Sequence, residues 1–171
     1  HRAQKVITFE PIRINQIMIQ FSSELNSLNN IEIKSVALTD HDGTSDFLVV
    51  KESILSGLVS SDLVNQRNYL KQKYSAEIKN LIKVKCKRLD SYMFSKIDII
   101  KIDVEGGELN VINGAINTIK RCKPRIILME CDDNALKLYK NNLDEIVNKM
   151  ISINYYPYIL TQDNLISFNK N

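Results

Sequence analysis

The segment IDIIKIDVEGGELNVINGA, residues 97–115, decides the fold class of this chain. It opens with a mostly apolar run that ends in Asp103, Glu105 and Glu108 around two adjacent glycines. Apolar residues then recur at helical spacing, which predicts a buried strand, a sharp turn and a helix. Ligands of open α/β sheets bind outside the carboxyl ends of the strands, so a site is expected at this acidic turn.

The rest of the chain alternates between strand and helix patterns. Strands are predicted at 5–9, 31–38, 47–50, 84–87 and 125–130, amphipathic helices at 14–28 and 136–150, and a terminal antiparallel hairpin within 155–168. This order predicts an α/β fold with a mainly parallel sheet, helices on both faces and the antiparallel hairpin at the end. We also expect a hairpin within 31–50 and an edge strand at 84–87. Residues 51–83 lack a clear period and are interpreted as an insertion or lid, or as a solvated connector.

Bulk composition narrows the classes of protein. The 171 residues are consistent with one domain, and a net charge of +3 gives no reason to predict a nucleic acid partner. No apolar stretch approaches the ~20 residues of a membrane span. The three cysteines lack zinc-site spacing, which favours reduced thiols and a cytoplasmic protein. The oligomeric state is not predicted.

Three of the predicted strands end in a carboxylate, namely Glu10, Asp103 and Glu130. We expect these groups to share one edge of the sheet and to form a site there. A carboxylate such as Glu10 at the end of a strand suits the two hydroxyls of a ribose. Carboxylates also suit Mg²⁺ or Ca²⁺, but no histidine joins the cluster, so a site without metal is preferred.

Strand alternation places Lys101, Asp103 and Glu105 on one side of the chain. A lysine beside two carboxylates predicts a salt-bridged wall in which the groups tune one another's pKa values. Glu108 has two interpretations, because an acid at a helix N-terminus can serve the helix instead of a ligand. A nucleotide-dependent dehydrogenase is disfavoured, since no G-x-G-x-x-G motif follows a strand.

Five motifs in this order resemble the FkbM family of S-adenosylmethionine-dependent methyltransferases. They are VITFEP at 6–11, ALTDHDG at 37–43, KRLDSY at 87–92, the segment 97–115, and KPRIILME at 123–130. The resemblance implies a Rossmann-like class I methyltransferase fold and methyl transfer to a hydroxyl on a sugar, polyketide or similar small molecule or glycan. In this resemblance Glu10 matches the ribose-binding acid of the fold, and Asp103 and Glu105 match the block that faces cofactor and acceptor. We expect Asp103 or Glu105 to be the catalytic base, with Lys101 holding the base ionised or positioning the acceptor. The other expected contacts are Pro11, Asp40 and Asp103 with the cofactor, and Glu108 and Glu130 with the substrate.

One departure from the family pattern concerns the cofactor. The family places a strand and a glycine-rich loop before the FEP motif, and only five residues precede Val6 here. That strand would lie between the strands at 6–10 and 97–103, so either residues 1–171 are an N-terminally truncated domain or these two strands pair directly. We expect a form extended upstream to bind S-adenosylmethionine, and this chain to bind it weakly or not at all. The alternatives are a catalytically inactive binding domain of the same fold and a carboxylate–metal hydrolase.

Overall fold

The computed structural model of the chain describes residues 3–50, 56–60, 62–75, 77–162 and 164–168. The strands are β1 (Val6–Phe9), β2 (Ile31–Lys34), β3 (Ala37–Leu38), β4 (Gly43–Val50), β5 (Gly57–Leu58), β6 (Ile78–Lys87), β7 (Ile99–Ile102), β8 (Ile126–Met129), β9 (Tyr158–Leu160) and β10 (Leu165–Ser167). The α-helices are α1 (Arg13–Leu25), α2 (Leu63–Tyr74), α3 (Glu108–Asn113), α4 (Ile116–Cys122), α5 (Asp133–Leu138) and α6 (Leu143–Ile151), with a 3₁₀ helix at Leu89–Tyr92. The predicted α/β class is confirmed.

The described strands form four separate sheets. Strands β1 and β2 pair in parallel, β7 and β8 pair in parallel, and β9 and β10 form the expected antiparallel hairpin. The fourth sheet has the order β3-β6-β4-β5 and mixes parallel with antiparallel pairs. A single, mainly parallel sheet is therefore not confirmed. Strands β1 and β7 do not pair with each other in the described part of the chain. Strand β1 pairs with β2, and β7 pairs with β8.

The mixed sheet corrects two local predictions. The expected hairpin within 31–50 is wrong, because β6 lies between β3 and β4 and pairs with both. For the same reason 84–87 is not an edge strand. The carboxylate of Asp42 accepts hydrogen bonds from the backbone N–H of Arg88 at 2.8 Å and from the hydroxyl of Ser91 at 2.7 Å. These bonds join the turn before β4 to the end of β6, a long-range contact that strand periodicity does not reveal.

The main core lies around β7, α3 and the C-terminal helices. Its fully buried side chains include Ile112, Leu136 and Ile146, and Ile119 lies in a second cluster with Leu89 and Ala115. The turn at Leu89–Tyr92 is joined to α4, because Asp90 accepts hydrogen bonds from the backbone N–H groups of the first turn of that helix. A side chain from a distant segment thus supplies the cap that α4 lacks locally.

Helix α1 has its apolar stripe on the outside. The exposed members of the stripe are Ile14, Ile17, Met18, Phe21 and Leu25, whereas the buried residues of this helix are Gln16 and Ser23. Ser23 satisfies its hydroxyl by donating to the carbonyl of Ile19 at 2.7 Å. Amphipathic spacing correctly predicted the helix but not which face is buried. No helix in the described residues has the length and apolarity that crossing a bilayer requires.

Candidate functional site

The carboxyl ends of β7 and β8 bring acidic residues together. The two strands are in register, with Ile102 opposite Met129, and the N–H of Glu130 donates to the carbonyl of Ile102 at 3.1 Å. Asp103 and Glu130 therefore leave the sheet side by side. Lys101 donates to Asp103 at 2.8 Å, and this bond raises the pKa of the Lys101 ammonium. The salt bridge expected at this strand end is present.

Glu105 occupies a strained position in the turn that follows. Its φ is 55°, in the left-handed region that side chains other than glycine rarely adopt. Burial raises the pKa of the Glu105 carboxyl, and the charges of Asp103, Glu130 and Glu108 raise it further. A carboxyl with a raised pKa is a stronger base when ionised, and strained backbone with perturbed pKa values is typical of functional sites.

The glycine after Glu105 is required by packing. Gly106 has a φ of 103°, and a Cβ on this residue would lie 2.4 Å from the carbonyl oxygen of Ala135 in α5. The turn is thus pressed against the N-terminal part of α5. This contact explains one of the two glycines in the motif, because an added methyl group would push the acidic turn away from the helix.

Glu108 lies behind the turn. The side chain is 1% exposed, and its Oε1 accepts a hydrogen bond from the N–H of Gly106 at 3.0 Å. Its Oε2 has no hydrogen-bond partner among the described residues, and burial raises the pKa of this carboxyl. Of its two interpretations, support of the turn and helix is the one that the geometry favours.

Glu10 lies at the end of β1, in a different sheet from Asp103 and Glu130. Its Oε1 accepts a hydrogen bond from the N–H of Ile12 at 2.7 Å, across Pro11 and at the start of α1. The structure thus brings two of the three strand-end carboxylates together and does not join the strand of Glu10 to them by hydrogen bonds. One oxygen of Glu10 is occupied in holding the entry to α1.

Asp40 belongs to a second polar group, at the edge of a cavity of about 200 Å³. Its Oδ1 lies 2.9 Å from Nδ1 of His41 and accepts a hydrogen bond from the hydroxyl of Thr39. Nε2 of His41 lies 3.0 Å from the hydroxyl of Ser45. The sequence interpretation missed His41 and Ser45, although a carboxylate, an imidazole and a hydroxyl within six residues of a turn were visible as a signal.

The described residues hold no group of three or more histidine, cysteine or acidic side chains that could bind a metal ion. The carboxylate–metal hydrolase alternative required Asp103, Glu105 and Glu130 to converge on one cation. In this part of the chain that alternative therefore lacks support from geometry.

Comparison with known proteins gives one family and one structure. The model of the methyltransferase FkbM domain matches residues 2–158. A crystal structure of methyltransferase FkbM from Methylobacillus flagellatus KT aligns with a TM-score of 0.49 and 17% sequence identity. The alignment covers 88% of this chain and 30% of that one, so the chain spans less than a third of that protein. No curated protein sequence matches at a significant level.

Proposed function

The chain belongs to the FkbM methyltransferase family, and on that premise we propose that it is a domain of an S-adenosylmethionine-dependent O-methyltransferase. The acceptor would be a hydroxyl group on a small molecule or glycan. The observation that carries the proposal is the acidic turn after β7, where burial and neighbouring carboxylates raise the pKa of Glu105. A base of raised pKa suits removal of a hydroxyl proton near neutral pH. The parallel pairs β1–β2 and β7–β8 support a Rossmann-like frame for this site.

The residues present fit part of the cofactor. Glu10 has one oxygen bound to the N–H of Ile12, which leaves Oε2 to accept a hydrogen bond from a ribose hydroxyl. Pro11 and Asp103 follow the ends of β1 and β7 and complete the proposed cofactor edge. The part of the cofactor that these residues fit is its nucleoside end. When bound, S-adenosylmethionine supplies an activated methyl group.

The structure gives a reason to prefer one carboxylate as the base. The carboxylate of Asp103 is already engaged in an ion pair with Lys101, at 2.8 Å. Burial and the neighbouring like charges raise the pKa of the Glu105 carboxyl, which makes it the stronger base once it is ionised. We therefore propose that the carboxylate of Glu105 is the base that takes the proton of the acceptor hydroxyl. Lys101 and Asp103 then orient the acceptor, and Glu130 adds negative charge beside them.

Residues 51–83 are proposed to cover this site. Their described parts dock on the two residues that flank α5: the hydroxyl of Tyr139 donates to the carbonyl of Leu58, and Lys73 pairs with Asp132. A Cβ on Gly57 would lie 3.9 Å from the Cβ of Glu105, so β5 runs directly beside the proposed base. A segment in this position can limit the access of water to the reacting groups. Residues 51–55, 61 and 76 lie outside the described residues.

The test is methyl transfer from methyl-labelled cofactor to a panel of hydroxylated sugars and metabolites. Glu105→Gln is expected to lower turnover by ~10²–10⁴-fold, the usual contribution of a positioned base. Asp103→Asn should lower it less, because it only perturbs the orientation of the acceptor. Glu145→Gln, an exposed change on α6, is the matched control and should leave turnover unchanged. Full turnover in Glu105→Gln would contradict the assignment of the base.

A second candidate function is a non-catalytic binding domain of the same fold. It is favoured by the separation of β1 from β7 in the described residues. Equilibrium dialysis with S-adenosylhomocysteine distinguishes the two candidates. Measurable binding without transfer to any acceptor would support the binding domain, and label transfer would exclude it.

A further inference from the structure

Helix α1 leaves an apolar stripe exposed along its outer side. The stripe consists of five large side chains that are each 44–69% exposed, namely Ile14, Ile17, Met18, Phe21 and Leu25. The inner side of the helix is already packed, since Gln16 and Ser23 are its buried residues. Monomeric proteins rarely expose several large apolar side chains side by side, because removing such surface from water is favourable. The stripe therefore has the composition of a surface that a partner covers.

The two charged residues of α1 lie at the unfavourable ends of the helix. Arg13 is the first residue and Glu24 is the last but one, so the first turn has no acid and the last turn has no basic residue. The helix macrodipole favours the opposite arrangement, with acids near the N-terminus and cations near the C-terminus. Within the helix, Arg13 donates to the amide oxygen of Gln16 at 3.4 Å, and Glu24 accepts from Gln20 at 3.1 Å. Neither contact is an ion pair, so the stability of α1 alone does not explain the two charges.

A second copy of α1, packed antiparallel, would use both charges. Arg13 and Glu24 are 11 residues apart, which is about three helical turns, so both lie on the same flank of the stripe. A two-fold axis between residues 19 and 20 brings Arg13 of each copy to within about 3 Å, along the helix axis, of Glu24 of the other copy. Each charge then also lies at the favourable end of the other helix. A parallel pair would instead set like charges against each other, which opposes association.

The apolar stripe is self-complementary about the same axis. Ile14 and Leu25 are equally distant from a point between residues 19 and 20, and so are Met18 and Phe21. When the second copy is turned end to end, each of these side chains therefore faces another large apolar side chain. The charges and the stripe thus select the same arrangement, although they are independent features of the sequence.

The charge of α1 also disfavours a lipid surface as the partner. Helices that lie on membranes are usually rich in lysine and arginine on their polar face. Helix α1 carries one cation and one acid, and the polar residues Gln16 and Ser23 are buried in the fold. A partner with a matching apolar stripe and one charge of each sign fits these features better, and a second copy of this chain is such a partner.

We propose that α1 is a dimer interface, in which two copies of this chain pack their stripes antiparallel and exchange two ion pairs between Arg13 and Glu24. The stripe offers roughly 500 Å² per copy, less than the ~800 Å² per partner of a standard interface. The dimer is therefore weak, with a dissociation constant on the order of 100 µM. At the low micromolar concentrations of an unfolding assay the chain is monomeric. The interface does not depend on methyl transfer and is tested without cofactor.

Sedimentation velocity of the full chain measures the association directly. Between about 5 and 500 µM the wild type should change from mainly monomer to mainly dimer, as the dissociation constant requires. Species larger than the dimer are not expected, because a two-fold interface is closed once two copies have met.

Charge reversal tests the antiparallel pairing. Arg13→Glu sets two acids against each other at both pairs, and Glu24→Arg sets two arginines against each other, so each should weaken association about tenfold or more. A 1:1 mixture of the two single variants places opposite charges at both pairs again and should form a heterodimer. The double variant should associate like the wild type. Both reversals suit the macrodipole of α1, so unfolding of the helix would not explain a loss of association.

The stripe and a control complete the test. Phe21→Ser removes the ring that faces Met18 of the second copy and should weaken association at least tenfold. Lys120→Glu reverses an exposed charge on α4 and is the matched control, which should leave association unchanged. At about 1 M salt the charge variants should approach the wild type, whereas the loss in Phe21→Ser should remain. Circular dichroism checks that each variant is folded.

Four results would overturn the proposal. The first is a wild type that stays monomeric up to about 500 µM. The second is association that survives in Arg13→Glu alone or Glu24→Arg alone, which would place the interface on another surface. The third is a mixture of these two variants that does not associate, which would exclude the antiparallel pairing. The fourth is binding of the monomer to vesicles of anionic lipid without any dimer, which would assign the stripe to a membrane.

Discussion

Gly114→Ala is the substitution whose effect follows most directly from the structure. Gly114 ends α3, and a Cβ built on it would lie 2.0 Å from the carbonyl oxygen of Thr39 and 3.1 Å from the Cα of Asp40. The obstacle is backbone, which cannot rotate away as a side chain can. The φ of Gly114 is −76°, so alanine fits the local conformation and the effect isolates the steric clash.

The size of the effect follows from this clash. Overpacking usually costs about 1–3 kcal/mol of unfolding free energy, and a collision with backbone belongs at the upper end of that range or beyond it. For a domain of this size, about 3 kcal/mol lowers the melting temperature by roughly 6–12 °C. Displacement of Thr39 and Asp40 from α3 should also disturb the hydrogen bond between Asp40 and His41.

Gly107→Ala is the matched control. Gly107 precedes α3 with a φ of −86°, and the nearest atom to an added Cβ is 3.6 Å away, an ordinary contact. Its melting temperature should stay within about 2–4 °C of the wild type, equivalent to about 1 kcal/mol. Thermal and urea unfolding followed by circular dichroism measure both variants. If Gly114→Ala unfolds at the same temperature as Gly107→Ala, the contact between Thr39 and α3 is absent in solution.

Three further predictions use the same unfolding assays. Burial raises the pKa of Glu108, so the wild type loses stability as the pH rises above the ordinary value of 4.5, where the unfolded chain ionises first. Glu108→Gln should therefore become more stable than the wild type towards neutral pH, and a constant difference at all pH values would refute this. Burial alone would raise the pKa of the Asp90 carboxyl, but hydrogen bonds from α4 outweigh burial, and the pKa is lowered. The Asp90 carboxylate therefore stabilises the fold above its ordinary pKa, and this stabilisation is lost as the pH falls. Asp90→Ala should cost about 0.5–2 kcal/mol at neutral pH, and Asp98→Ala, which removes a surface ion pair, should cost less. Phe21→Ser should cost less than about 1 kcal/mol of unfolding free energy because the ring is 54% exposed. Ile119→Ala, in the core, should cost about 2–5 kcal/mol. A large loss of unfolding free energy in Phe21→Ser would show that its ring is buried in solution.

Elements with a strong local signal were predicted well. The strand at 97–102, the turn with its two glycines and the terminal hairpin all rest on patterns within about ten residues, and the structure forms each of them. The ion pair between Lys101 and Asp103 also follows from local spacing, because alternate residues of a strand lie on one side. Helix boundaries were predicted less well: the pattern at 136–150 predicts one helix, and the structure divides it into α5 and α6.

Long-range pairing could not be predicted from the same patterns. Strand β6 lies between β3 and β4, and Asp42 bonds to the residue that follows this strand, 46 positions away. The cap of α4 by Asp90 spans 28 positions. Two motifs that carried the family resemblance thus include a residue with a structural role, Asp42 in ALTDHDG and Asp90 in KRLDSY. A motif's specificity therefore does not show that all of its residues touch a ligand.

Two glycines of the segment 97–115 also have a structural role near the candidate site. Gly106 allows the acidic turn to press against α5, and Gly114 allows the end of α3 to press against Thr39. The first contact holds the turn that carries Glu105 against α5, and the second holds Thr39 and Asp40 against the end of α3. Two positions without side chains thus set how the acidic turn and α3 pack against the rest of the chain. In physical terms, the segment 97–115 acts through its glycines as well as through the carboxylates that made it conspicuous.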